Sequence, residues 1–499
     1  MRRVGASRDE RGGAAVEYVG VTLVVAVILG AVILVAPSLG GTVGCAVQRA
    51  FSSITGSSAP VCASGVDTAT PDDGPATSEV VLAVYPEGDI SDGSADSRTS
   101  TGVLRVEAGE DVTWTVTSDQ SWAIPSVDQD RGPGEVDVTF RSNPGQDREA
   151  TITITSSDGQ TVTQTITQPG ETQTYVALGD SYSAGVGAYP RSPGDRVTGA
   201  LIGGGIAGLP GALIGGGVGT DFDESERRER SWWPDAWNED ECYRAALGWP
   251  RLLGNGQTTA SGTPSLRMAT DSFVACTGAT SDGTSMTGGT APSVMDQIDQ
   301  ARDTLGEAGI VSISIGGNDI GFAEVVTECV TPFKSPADCS AAIRLGNERI
   351  ADTSEDGLNM RLVRTYEAML EAAPNATIYV VGYPPVIEHD DTGRDPWEPW
   401  NVGKVYNENV AEAAELIQNL NRLISDTVDE VNAASPTGPR LVFVDPGAPG
   451  SPFIGHSVND PDPYTNGLTL PPVPYSYHPN VAGNEAYARW VAEHMLGAR

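Results

Sequence analysis

Ser181 stands where a short apolar stretch, Tyr175 to Leu178, runs out into Gly179, Asp180, Ser181, Tyr182, Ser183, Ala184 and Gly185. In an open α/β sheet, strand ends of this kind border the ligand crevice, and the helix that follows offers free backbone N–H groups beside the serine. A second apolar run, Ile310 to Ile315, ends in Gly316, Gly317, Asn318 and Asp319 and again delivers polar groups to a strand terminus. Between the two lie Ala275, Cys276, Thr277, Gly278 and Ala279. Near the end of the chain, Tyr477, His478, Pro479 and Asn480 precede a helical pattern from Gly483 to Leu496. A lone GDS triplet is weak evidence, whereas four such blocks in order are strong.

These residue types together describe acyl transfer. A serine hydroxyl is a poor nucleophile at neutral pH, so an imidazole must take its proton during attack and return it to the leaving group. His478 fits that need. The tetrahedral intermediate carries an oxyanion that fixed donors must stabilise, and losing one such donor costs about a hundred- to a thousandfold in rate. The Ser181 N–H, the Gly278 N–H and the side-chain amide of Asn318 supply three.

The elements that position these groups form a domain from Gln173 to Arg499. Its blocks resemble the SGNH (GDSL-like) hydrolase superfamily, and the segments ECYRAALGWPRLL (241–253) and ACTGATSDG (275–283) look closest to secreted actinobacterial lipases and esterases. The resemblance covers Tyr175 to Met495. It implies a three-layer α/β/α sandwich with a parallel sheet, a covalent acyl-serine intermediate, and a Cys242–Cys276 disulfide that pins the Gly278 loop. One position departs from the family pattern, which has Asp three residues before the histidine where this chain has Tyr475. Some family members use a main-chain carbonyl instead, which makes the Tyr475 carbonyl the expected partner of His478 Nδ1. The alternatives are a carboxylate from another loop, Asp460 or Asp462, or a degenerate enzyme.

Upstream, residues 79–170 switch to period-two alternation: Val112, Trp114 and Val116; Val136, Val138 and Phe140; Ile152 and Ile154; Val162 and Ile166. Turn signals at Gly109 with Glu110, Gly132 to Gly134, Asn143 to Gly145, and Asp158 with Gly159 separate them, so a small all-β sandwich is expected. The runs WTVTSDQSWA, SNPGQDREATITITSSDG and TQTITQPG resemble a BACON domain, an immunoglobulin-like module often attached to extracellular bacterial hydrolases. That resemblance leaves two roles open, a spacer and a glycan binder. Trp114 and Trp122 are either stacking platforms for sugar or core aromatics.

Residues 1–55 carry an address. Arg2, Arg3, Arg8 and Arg11 precede an apolar run from Val19 to Ala36 that is long enough to cross a bilayer core, with the basic side predicted to stay cytoplasmic. Gly12 followed by Gly13, with Glu17 fifth after the cleavable bond, resembles the processing site of Flp-type pilins and TadE-like pseudopilins. A plain signal anchor is the other reading. Residues 56–78, rich in Ser, Pro, Gly and Asp, read as a linker. The expected location is therefore the cell membrane, with the catalytic domain outside, retained or released.

The 499 residues, 39% hydrophobic and 19% charged, suffice for two or three domains. A net charge of -36 argues against nucleic acid as a partner. Six cysteines permit fifteen pairings, and sequence order suggests Cys45 with Cys62, Cys242 with Cys276, and Cys329 with Cys339. An exported chain favours disulfides. Cysteine spacing gives no support for zinc, and neither metal nor cofactor is expected.

The remaining candidates are weaker. His389 reads as solvated, His494 as a surface residue of the last helix, and His456 as a loop residue with some claim to the pocket. Asp180 and Asp319 read as supports of their loops rather than proton-transfer groups, and Leu416, Leu420, Leu423 and Val431 have the spacing of a helix core. An uncharged, glycine-rich insertion, 198–220, reads as a lipid-contacting flap, a flexible loop or an oligomer contact, with Ser231 to Trp237 as an aromatic rim. The functional expectation is a surface-anchored or secreted serine esterase acting on lipid or acyl esters. Carbohydrate deacetylation and a non-catalytic adhesion role are the alternatives.

Overall fold

The structure, a computed structural model, describes residues 82–188, 242–256, 263–269, 271–283, 291–331, 334–395, 403–468 and 475–497. The apolar run Val19 to Ala36, the Gly12–Gly13 bond, the linker 56–78, Cys45, Cys62, the insertion 198–220 and the rim 231–237 lie outside the described residues. Among the described residues no helix is long and apolar enough to cross a membrane.

The first part is a β-sandwich. One sheet runs in the order β1 (Ala83–Glu87), β2 (Ser100–Glu107), β6 (Gly134–Phe140), β4 (Ala123–Pro125). The other runs β5 (Gln129–Arg131), β3 (Thr113–Ser118), β7 (Arg148–Ser156), β8 (Thr161–Gln168). All pairings are antiparallel. The alternation works as period-two patterning requires: Trp114, Val116, Val136, Val138, Phe140, Ile152, Ile154 and Ile166 point into one core. Trp114 is a core residue, its Nε1–H donating to the Gly132 carbonyl at 2.8 Å. Trp122 is also buried, under the Arg148 guanidinium, which lies 4.2 Å above its ring.

The second part holds a five-stranded parallel sheet in the order β10 (Leu266–Arg267), β9 (Gln173–Gly179), β11 (Ile310–Ser314), β12 (Thr377–Val381), β13 (Leu441–Val444). Every residue of β9, β11 and β12 is buried, so both faces of the sheet are covered, as a parallel sheet between helices must be. The described helices are α1 (Ser181–Ala184), α2 (Trp249–Gly254), α3 (Val294–Gln300), α4 (Arg302–Gly306), α5 (Phe322–Val330), α6 (Pro336–Ile350), α7 (Leu358–Ala372), α8 (Val410–Ala434) and α9 (Val481–Met495). Leu416, Leu420 and Val431 are buried along α8, with Leu423 packed at the margin of the core. Capping boxes, Ser293 with Asp296 and Ser335 with Asp338, start α3 and α6.

Sandwich and sheet meet at the N-terminal ends of the parallel strands. Thr377, the first residue of β12, shares a 2.9 Å hydroxyl bond with Thr99 and accepts the Ser142 N–H at 2.9 Å. The Gln173 amide, at the start of β9, donates to the Ser97 carbonyl at 3.2 Å, and the Ser265 N–H donates to the Pro144 carbonyl at 2.6 Å. Burial lowers the Arg148 pKa to about 10, with neighbouring Tyr379 acting in the other direction.

Candidate active site

The opposite, C-terminal ends of β9 and β11 carry the candidate site residues. β9 ends at Gly179, whose φ of +119° suits glycine and whose added Cβ would fall 2.3 Å from the Ser314 carbonyl oxygen. The buried amide of Gln297 fixes this turn at both ends, accepting the Gly179 N–H at 2.8 Å and donating to its carbonyl at 2.9 Å. The chain then enters α1 through Asp180, whose carboxylate caps it by accepting the Tyr182 N–H at 3.0 Å. Ser181, the first helical residue, is 7% exposed.

His478 arrives from the loop before α9. Its Nε2 lies 2.7 Å from Ser181 Oγ, and its Nδ1 lies 3.0 Å from the carbonyl oxygen of Ser476. A proton on Nδ1, donated to that carbonyl, leaves the Nε2 lone pair facing the serine hydroxyl. Here the structure corrects the sequence expectation, because the acceptor at Nδ1 is the Ser476 carbonyl and not that of Tyr475. The Tyr475 carbonyl is already used, accepting the His478 backbone N–H at 3.2 Å. Tyr477 closes this turn with φ +60°, a left-handed conformation that is rare for a bulky residue. Three contacts hold it there: the Tyr477 N–H donates to the Asn466 carbonyl, the Tyr477 hydroxyl to the Gly403 carbonyl, and the Tyr182 hydroxyl to the Tyr477 carbonyl at 2.8 Å. The half-buried imidazole has its pKa lowered to about 4, burial disfavouring the cation and the Ser476 carbonyl opposing.

Neither Asp460 nor Asp462 fills the orienting role. The Asp460 carboxylate accepts the Ser457 N–H at 2.6 Å, and Asp462 offers its backbone carbonyl to His456 Nδ1 at 2.7 Å. His456 stacks on Tyr464 with ring centroids 3.9 Å apart, a structural use of a residue with a possible claim on the pocket. His389 is exposed beside Gln418, and His494 Nδ1 donates to the Trp490 carbonyl on α9 at 2.7 Å.

The donor side is built from two loops. Gly278 has φ +81° and sits in the turn after Cys276, which is bonded to Cys242 as the family resemblance implies. The Thr277 N–H and hydroxyl both donate to the Cys242 carbonyl, so disulfide and hydrogen bonds hold the loop together. Among the described residues neither the Gly278 N–H nor the Ser181 N–H has an acceptor. The Asn318 amide spends one hydrogen on the Ala279 carbonyl at 2.8 Å, which orients the group and leaves its second hydrogen. Asp319 is buried and accepts from the Ser281 hydroxyl at 2.6 Å and from Arg361 Nη1 at 3.1 Å, tying the Asn318 loop to the Gly278 loop. A second disulfide, Cys329–Cys339, joins α5 to α6.

Sequence reasoning missed Gln297, Arg361, Ser476 and Tyr383. Tyr383 had a readable signal, since it follows the apolar run of β12 as Asp180 follows β9.

A serine bonded to an imidazole at the C-terminal edge of a parallel α/β sheet defines a serine hydrolase. Residues 177–486 match the GDSL-like Lipase/Acylhydrolase family model, and the chain belongs to that family of ester hydrolases. Residues 112–169 match the BACON model, described as a putative binding domain, N-terminal. Lipase 1 of Streptomyces coelicolor is 28% identical over 318 residues, 63% of this chain and 84% of the relative. A lipase of Streptomyces rimosus is 26% identical over 311 residues, 62% of this chain and 81% of the relative. The crystal structure of an extracellular lipase from Streptomyces rimosus is 23% identical with a TM-score of 0.43, covering 64% of this chain and 98% of that one.

Proposed function

We propose that the protein is an exported or surface-anchored lipase or esterase that cleaves acyl esters through an acyl-Ser181 intermediate. The observation that carries the reading is the relay Ser181 Oγ, His478 Nε2, His478 Nδ1, Ser476 carbonyl, with contacts of 2.7 and 3.0 Å. His478 takes the hydroxyl proton as Ser181 Oγ bonds to the substrate carbonyl carbon. The oxyanion so formed is received by the Ser181 N–H, the Gly278 N–H and the free hydrogen of the Asn318 amide. Collapse breaks the ester C–O bond, and His478 gives its proton to the departing alkoxide. Water then enters, loses a proton to His478 and attacks the acyl carbon; collapse breaks the bond to Ser181 Oγ, which takes that proton back from His478 as the acid leaves.

Lipid acyl esters are the substrate class best supported, since both curated relatives are lipases. Export is supported by the two disulfides and by the basic and apolar character of residues 1–36, read as an anchor of the Flp or TadE type. The test is hydrolysis of p-nitrophenyl acetate, butyrate and palmitate by the full-length protein, with Ser181→Ala as control. Activity that rises with chain length and vanishes in the variant is expected. Activity on acetate alone would move the substrate to small acyl groups, and undiminished turnover by Ser181→Ala would overturn the site.

A further inference from the structure

Tyr383 lies outside the reacting groups, yet it occupies the junction between the two loops that carry them. It follows β12, is buried, and its ring meets Tyr182 edge-on at 5.0 Å. Its hydroxyl donates to Asp180 Oδ2 at 2.5 Å and accepts the Gly317 N–H at 2.8 Å. One side of the phenol therefore holds the residue before Ser181, and the other holds the residue before Asn318. Its own position is fixed from α8, where the Asn421 side chain accepts the Tyr383 N–H and donates to its carbonyl, both at 2.8 Å. The ring leaves no room for adjustment, because a Cβ on Gly317 would come within 3.1 Å of the phenol.

We infer that Tyr383 is a positioning residue for ester hydrolysis, a phenol strut that sets the Ser181 nucleophile and the Asn318 oxyanion donor at one fixed separation through Asp180 and Gly317. The chemistry of the strut is directional. The ionised Asp180 carboxylate accepts three donors at once: the Tyr383 hydroxyl, the Ser314 hydroxyl at 2.8 Å and the Tyr182 N–H at 3.0 Å, whereas a proton on Oδ2 would compete with the Tyr383 hydroxyl. The titratable groups facing it are Tyr383, Tyr182, Tyr487 and Asp319, all neutral or negative. Burial raises its pKa to about 6, with the Tyr383 bond the strongest influence in the other direction. Protonation of Asp180 thus loosens the strut at a pH where His478 is still neutral and competent. The inference rests on Ser181 and Asn318 holding the roles proposed above.

The experiment measures kcat, KM and the pH profile of p-nitrophenyl butyrate hydrolysis for full-length wild type, Tyr383→Phe, Asp180→Asn and the double variant. Tyr383→Phe keeps the ring and removes the strut. Its kcat is expected to fall about ten- to a hundredfold with KM within about twofold, because misplacement of this kind is felt in the transition state. The acid limb of kcat/KM is expected to move up in Tyr383→Phe, which loses a donor to the carboxylate, and down in Asp180→Asn, where only His478 titrates. The double variant should be no slower than the slower single one, since both cut one connection. Should Tyr383→Phe not fold, the limb of Asp180→Asn decides. An unmoved acid limb in Asp180→Asn, additive losses in the double variant, or an unchanged kcat in Tyr383→Phe would each overturn the strut. All three leave the separate requirement for Ser181 in place, which Ser181→Ala alone reports.

Discussion

On the proposed assignment His478 is oriented by peptide rather than by carboxylate, and that makes the site insensitive to changes that disable an Asp-dependent triad. Asp460→Asn and Asp462→Asn should retain kcat/KM within about twofold, whereas His478→Ala should lose at least about a thousandfold, the difference between a lost base and an untouched loop. A loss above about tenfold in either Asp variant, measured on one soluble ester at pH 8, would restore a carboxylate to the mechanism. The same ring shapes stability. Its folded pKa of about 4 lies below the ordinary 6.5, so its contribution is fully present above 6.5 and is lost as pH falls through about 4. Asp180 runs the other way: raised from 3.8 to about 6, it contributes below 3.8 and loses that contribution as pH rises through about 6. Urea titrations between pH 4 and 8 should therefore show wild type losing stability relative to His478→Gln on acidification, and gaining relative to Asp180→Asn over the same interval. Parallel curves for all three proteins would mean that neither group is held away from its ordinary pKa.

Ser181 and Asn318 each follow an apolar strand, which made them legible in the sequence as candidates, and the 2.7 Å contact between Ser181 Oγ and His478 Nε2 joins two of the blocks read there. Period-two alternation likewise exposed the core faces of β3, β6 and β7. What stayed hidden depends on turns and on partners remote in sequence. No spacing rule reveals that Tyr477 adopts φ +60° and spends the Tyr475 carbonyl on a backbone bond, handing His478 to Ser476 instead. Gln297, which locks Gly179 from 118 residues away, looks from sequence like any polar residue of a short helix. The Gly278 loop was expected to depend on its disulfide, and the structure gives that expectation a measurable form. Cys242–Cys276 closes a separation of 34 residues, so Cys242→Ser with Cys276→Ser should cost about 2–4 kcal/mol of stability. It should also lower kcat more than it raises KM if, as proposed, the loop carries an oxyanion donor and not a substrate anchor. Equal kcat values for the double serine variant and wild type, at a temperature where both are folded, would detach the loop from catalysis.

The sandwich and the candidate site occupy opposite ends of the same parallel strands. Thr377 and Gln173 begin β12 and β9, while Tyr383 and Asp180 lie just beyond their ends, six and seven residues later. At about 3.3 Å per residue that places roughly 20–23 Å of strand between the sandwich junction and the Ser181 end of the sheet. The sandwich therefore does not wall the active site. Trp114 and Trp122, the sequence's candidates for stacking on sugar, are both buried, so any glycan contact has to use other groups. The junction itself is polar and closed: Thr377 Oγ1 serves Thr99 and Ser142 together, and a Cβ on Gly438 would collide with Thr139 Oγ1 at 1.9 Å. Replacing Thr377 by valine keeps the shape and leaves the buried Ser142 N–H without its acceptor, at a cost of about 1–3 kcal/mol. Because the defect is at the far end of the sheet, Thr377→Val should lower the urea midpoint while kcat/KM on p-nitrophenyl butyrate at 25 °C stays within about twofold of wild type. A variant with an unchanged midpoint would mean that the hydroxyl junction does not couple the two parts. A variant that is stable but slow would mean that the sandwich reaches the site through the strands, which the hydrogen bonds at their C-terminal ends give no reason to expect.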